Sequence, residues 1–103
     1  MGTNRRYAHR IDEQMDRRII ETVMRDHQPE SLTAEELELD VEPLTRPPQP
    51  IPVEARVRYG STPVKVRGLA TAWTGRAVAV KWPAPDGSEH RAWLWRGATR
   101  GGS

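Results

Sequence analysis

From Val53 onward, apolar and polar residues alternate with a period of two. Val53, Ala55, Val57 and Tyr59 interleave with Glu54, Arg56 and Arg58. Successive side chains of a strand point to opposite faces, so this pattern predicts a half-buried strand and is incompatible with a one-sided helix. Gly60-Ser61-Thr62-Pro63 turns the chain, and Val64-Lys65-Val66-Arg67 resumes the alternation. Gly68 predicts a bulge or bend, letting Leu69 to Trp73 continue on a curved path. Thr74-Gly75 is the next turn, and Ala77 to Trp82 reads as a third strand. Pro83-Ala84-Pro85-Asp86-Gly87 is a hairpin loop, because Asp-Gly supplies the positive φ such turns need. Glu89 to Trp95 returns as a fourth strand, and Arg96 to Arg100 fits a single turn and a fifth short strand.

Upstream the periodicity is helical. Residues 7–25 predict a helix, with Tyr7, Ala8, Ile11, Met15 and Thr22 on one stripe and Ile19 and Val23 along its edge. Glu13/Arg17 and Glu21/Arg25 are i,i+4 pairs in the favoured order. Ile20 and Met24 lie off the stripe, so the last two turns are apolar nearly all round. A lone surface helix does not need that. Thr33-Ala34-Glu35-Glu36 has the form of a capping box and predicts a short helix over residues 33–39. Between helices and strands, Pro43 to Pro52 holds five prolines in ten residues, a semi-rigid extended spacer. Pro47-x-x-Pro50 is also the minimal polyproline-II ligand pattern, but Arg46 is not at the offset usual for an SH3 ligand.

The expected organisation is α+β: an acidic helical segment over residues 1–45, a proline-rich linker over 46–52, a basic five-stranded unit over 53–100, and a flexible tail over 101–103. Five short strands with a bent second strand and a tight last connection resemble an SH3-like small barrel of the Tudor or chromo type. In Tudor-type barrels that read methylated side chains, the resemblance places Tyr59 and Trp82 near the aromatic cage. The remaining cage aromatics have no counterparts here. A unit of about 50 residues is small for its own core. Its last hairpin carries Ala92 and Leu94 on one face and Trp93 and Trp95 on the other, so one set needs a cover. The amino-terminal helix is the expected cover.

Charge divides at the same place as periodicity. Residues 1–45 hold six basic and eleven acidic side chains, a local charge of −5, and residues 46–103 hold ten basic and three acidic, +7. Arg outnumbers Lys 14 to 2 and Phe is absent, a usage typical of GC-rich coding, which by itself raises the Arg content. With no Cys, a disulfide scaffold, a thiolate zinc site and a cysteine nucleophile are excluded. No apolar run spans a bilayer, Met1 to Arg6 lacks the apolar region of a secretory signal, and Arg6 stands where myristoylation of Gly2 needs Ser or Thr. The compartment expected is the cytoplasm.

Enzymatic signatures are missing: there is no G-x-S-x-G, phosphate loop or H-E-x-x-H. His9, Glu13 and Asp16 lie at helical spacing, but two carboxylates and one His there read as a solvated face, so neither metal nor cofactor is expected. His27 follows a helix end, where a cation complements the dipole. His90 reads as a cross-strand partner. The basic strands carry more information. Arg56 and Arg58 share one side of the first strand, Lys65 and Arg67 one side of the second, and Lys81 and Arg91 extend the stripe. Cations beside Trp are the equipment of nucleic-acid binding. The reading is an accessory protein of a nucleic-acid-processing complex contacting DNA or RNA through these six residues. The alternative is a protein–protein adaptor docking a larger partner through Ile19, Ile20, Val23, Met24, Trp93 and Trp95. Covering of the basic set by Asp12, Asp16 or the 35–40 segment would favour the adaptor.

Overall fold

The computed structural model describes residues 18–101. A helix α1 covers 18–26, and α2 covers Ala34–Leu37. Five strands follow: β1 (Ile51–Tyr59), β2 (Thr62–Trp73), β3 (Ala77–Pro83), β4 (Glu89–Trp95) and, after a 3₁₀ turn over Arg96–Ala98, β5 (Thr99–Gly101). They form one antiparallel sheet in the order β4-β3-β2-β1-β5. The part of the expected 7–25 helix upstream of residue 18, with His9, Asp12, Glu13 and Asp16, lies outside the described residues.

Strand parity decides what is buried. Ala55, Val57 and Tyr59 of β1, Val64 and Val66 of β2, Val78, Val80 and Trp82 of β3, and Ala92 and Leu94 of β4 all turn to one face and form a single core. The intervening residues of β1 and β2 are exposed, as the alternation requires. The question left open by the last hairpin is answered: Ala92 and Leu94 face inward, while Trp93 is half-buried and Trp95 is 44% exposed on the other side. β1 begins at Ile51 and takes in Pro52, which the sequence reading assigns to the linker. Pro52 fits there because β1 meets β5 only over Val53–Ala55, so its missing N–H breaks no ladder on that side.

The sheet is not closed, in contrast to the expected barrel. β4 and β5 stand at its two edges. Instead of pairing with each other, β1 and β4 are tied through the segment between the helices. Pro29 bridges Tyr59, and Glu30 N donates to Arg58 O at 2.7 Å. Leu32 N donates to Trp93 O at 2.9 Å, and Trp93 N donates to Ser31 Oγ at 2.8 Å. This strap satisfies edge groups that would otherwise be unpaired. Further along, Glu38 and Glu42 pair with Arg76 at 3.4 and 3.5 Å, and Thr45 exchanges two backbone hydrogen bonds with Trp73 at 2.8 and 2.9 Å.

α1 caps the end of the sheet where the β1–β2 and β3–β4 turns lie. Met24 is buried in the core, with Ile20 and Val23 packed against it. Glu21, Met24 and Arg25 border a cleft with Ala84, Pro85 and Asp86 of the β3–β4 loop, and His27 lies beside Gly60. The buried face is therefore Ile20, Val23 and Met24, at i, i+3 and i+4. Thr22, at the centre of the expected stripe, is exposed. The outer side of β4 is lined by the strap, through Ser31, Leu32 and Glu36, rather than by α1.

α2 carries the expected capping box. Glu36 N donates to Thr33 Oγ1 at 3.2 Å and Thr33 N to Glu36 Oε1 at 3.0 Å. It is shorter than expected, because Glu38 turns left-handed with φ at 49° and ends the helix. Gly68 has a different role from the one its sequence context suggests. It pairs regularly with Val53, and the register irregularity falls between Ala70 and Ala72. A Cβ at Gly68 would lie 2.2 Å from the Lys81 carbonyl oxygen, so close backbone approach, not a bulge, requires glycine there. Among the described residues no helix is long and apolar enough to cross a membrane.

Candidate nucleic-acid interface

The β1–β2 register sets Arg56 opposite Lys65, Glu54 opposite Arg67, and Arg58 opposite Pro63. All four cations stand exposed on the face opposite the core. Lys81 lies opposite Leu69 on one side and Arg91 on the other, so the six sequence-derived cations share the outer face of the sheet. Two carboxylates divide them. Glu54 lies 3.9 Å from Lys65 and 3.5 Å from Arg67. Glu89 lies 3.7 Å from Lys81 and 2.7 Å from Arg91. The Arg91 hydrogen bond, reinforced by the Arg91 and Lys81 charges, holds the Glu89 carboxyl below its ordinary pKa. Such solvent-exposed pairs contribute little to stability.

Glu38 and Glu42, which follow α2, both go to Arg76. Among the described residues, Arg56 and Arg58 form no ion pair, and neither does Arg100. Arg100 was not foreseen as a site residue. It sits opposite Glu54 in the β1–β5 ladder and joins Arg56, Lys65, Glu54 and Ala98 around a cleft of about 190 Å³. Its alternation with Thr99 was legible, but the pairing of so short a strand with β1 was not.

A second cleft, of about 310 Å³, opens where the sheet fails to close. Arg56 and Arg58 stand on its β1 side, Trp93 and Trp95 on its β4 side, and Glu30 and Glu36 are on the strap between. Arg56 and Ala98 border both clefts, so the two lie side by side along the 3₁₀ turn. Of the adaptor residues, Ile20, Val23 and Met24 serve the protein's own core, leaving Ile19, at 52% exposure, and Trp95 facing outward.

Tyr59 and Trp82, where the resemblance places a methyl-reading cage, are closed to ligands. They are 0% and 2% exposed. Trp82 Nε1 donates to Tyr59 Oη at 2.8 Å. The Tyr59 hydroxyl also shares a hydrogen bond with His90 Nδ1, 2.8 Å away, whose direction follows the histidine tautomer. Burial raises the Tyr59 pKa, with the Trp82 hydrogen bond opposing it. No group of three or more His, Cys, Asp or Glu among the described residues is arranged to hold a metal ion.

No protein-family model matches the chain, and none of the curated proteins or solved structures compared with it does.

Proposed function

We propose that this chain is a small non-enzymatic accessory protein of a nucleic-acid-processing complex, contacting DNA or RNA through the outer face of its sheet, and that its strap-tied sheet is a variant of the SH3-like small barrel. The observation that carries the functional reading is the exposed set Arg56, Arg58, Lys65 and Arg67, in which Arg56 and Arg58 form no ion pair with the described residues although Glu30 and Glu36 border the same cleft. Lys81, Arg91 and Arg100 extend that set, and phosphate oxygens would displace Glu54 and Glu89 from weak surface pairs. The test is binding of short duplex and single-stranded DNA and RNA between about 50 and 200 mM salt. Neutralising about five phosphates gives a log–log salt slope near −4 to −5 on duplex DNA. Absence of binding at micromolar protein and low salt overturns the reading.

One observation favours the adaptor reading: Trp95 is 44% exposed beside half-buried Trp93, and aromatic residues flanked by Arg are typical anchors of protein interfaces. On that reading, Ile19→Glu together with Trp95→Glu abolishes capture of the natural partner. Unchanged capture removes these two residues from the interface.

A further inference from the structure

The two clefts along the 3₁₀ turn, taken as two halves of one site, are not alike. One half, between β1 and β5, brings together Arg56, Lys65 and Arg100 with a single carboxylate, Glu54. Glu54 is already engaged by Lys65 and by Arg67 outside the cleft. This half carries three cations against one carboxylate. The other half, between β1 and β4, sets Arg58 and the shared Arg56 against Glu30 and Glu36 and is bordered by Trp95, which is 44% exposed. Glu36 is itself tied into the capping box. A near-neutral, aromatic half beside a cationic half is not what a uniform phosphate track presents.

We infer that the ligand of this site is single-stranded nucleic acid, seated with a backbone phosphate among Arg56, Lys65 and Arg100 and an unpaired base stacked on Trp95. The inference rests on the nucleic-acid reading and narrows it. A duplex keeps its base faces stacked inside the helix, so Trp95 gains nothing from it, whereas every unpaired base offers a π-face. Arg56 borders both halves and so is shared by the phosphate seat and the stacking seat. On the rest of the outer face Lys81 and Arg91 share Glu89, and Arg67 shares Glu54 with Lys65, so their charge is only partly offset. They add general attraction and no selectivity.

The experiment is fluorescence anisotropy of the full chain with an oligothymidine of about twelve nucleotides, within the site size of small single-strand binders, and with a hairpin duplex of equal phosphate number. The single strand binds at least about tenfold more tightly, and Trp95→Leu removes about tenfold of that affinity while Trp95→Phe retains most of it. Leu keeps the apolar packing and lacks the π-face, so the Leu–Phe contrast separates stacking from folding. Arg100→Gln lowers the salt slope by about 0.7, one phosphate contact on a single strand, while Arg67→Gln lowers it less. Equal or tighter duplex binding, or indifference to Trp95→Leu, overturns the single-strand seat and leaves the nucleic-acid reading standing. An unchanged slope for Arg100→Gln overturns the phosphate placement. Binding to neither probe overturns both readings at once.

Discussion

Two aromatic regions lie on opposite faces of the same sheet and do opposite things. Tyr59 and Trp82 face inward beneath α1, with both polar atoms hydrogen-bonded and almost no surface in solvent. Trp93 and Trp95 face outward beside the strap, and Trp95 keeps nearly half its surface exposed. Residue type does not distinguish them, because Trp occurs on both faces. The difference comes from strand parity and from which face the rest of the chain covers. With no Phe in the sequence, Trp fills the core at Trp82 and stands exposed at Trp95, and position on the strand sorts the two environments.

The sharpest way to break this comparison is to truncate one Trp from each region. Trp82→Ala costs about 3–5 kcal/mol, the range for removing a large buried aromatic. Trp95→Ala stays within about 0.5 kcal/mol of the parent, as surface substitutions do. Urea unfolding of both variants measures the contrast, and comparable losses would mean that the two regions are not distinct.

The next largest effect is expected at Tyr59. Tyr59→Phe leaves the Trp82 N–H without its acceptor in a buried setting, which costs about 1–3 kcal/mol in the same assay. The phenol also makes the inner region sensitive to alkali. Its folded pKa is raised above the unfolded value, so its contribution is fully present below about pH 10 and is lost as pH rises through the folded value. Stability therefore falls more steeply above pH 10 in the parent than in Tyr59→Phe, as equilibrium unfolding at stepped pH will show. Equal slopes would remove the phenol from the account.

Smaller again is the strap that covers the outer face. Thr33→Ala removes one half of the capping box and costs about 1 kcal/mol, with faster amide exchange at Glu36 as the local readout. Smallest of all, Lys65→Gln changes stability by less than about 0.5 kcal/mol, because its partner Glu54 is an exposed carboxylate at 3.9 Å. A loss above 1 kcal/mol at Lys65 would show that the outer cations serve the fold, not a ligand.

Much of this was legible along the chain. The alternation Val53 to Tyr59 and Val64 to Arg67 places Arg56, Arg58, Lys65 and Arg67 on one outer face, and the structure puts them there. Thr33 and Glu36 announced the capping box, and Thr74-Gly75 and Asp86-Gly87 announced their turns. α1 was read less well: its apolar residues surround the last turns, and the choice of Ile20, Val23 and Met24 as the buried face depends on where the sheet end lies. Gly68 was read as a bulge because its neighbours show only that a glycine is needed, not that the Lys81 carbonyl approaches it. Arg100 was missed because three residues of β5 carry too little pattern to reveal their pairing with β1.

Local periodicity by itself determined the strands, their turns, the short capped helix and the separation of −5 from +7 along the chain. Only the tertiary structure decided which face of β4 is the core, that the sheet stays open and is tied by residues 29–32, and which cations meet carboxylates. The physical reason is range. Side-chain direction follows from dihedral angles within a few residues. Register, cover and ion pairing join segments far apart in sequence, and several pairings satisfy the same pattern until the whole core is packed. The overall charge of +2 thus resolves into acidic residues after α2 anchored on Arg76 and a basic outer face whose Arg56, Arg58 and Arg100 form no ion pair among the described residues.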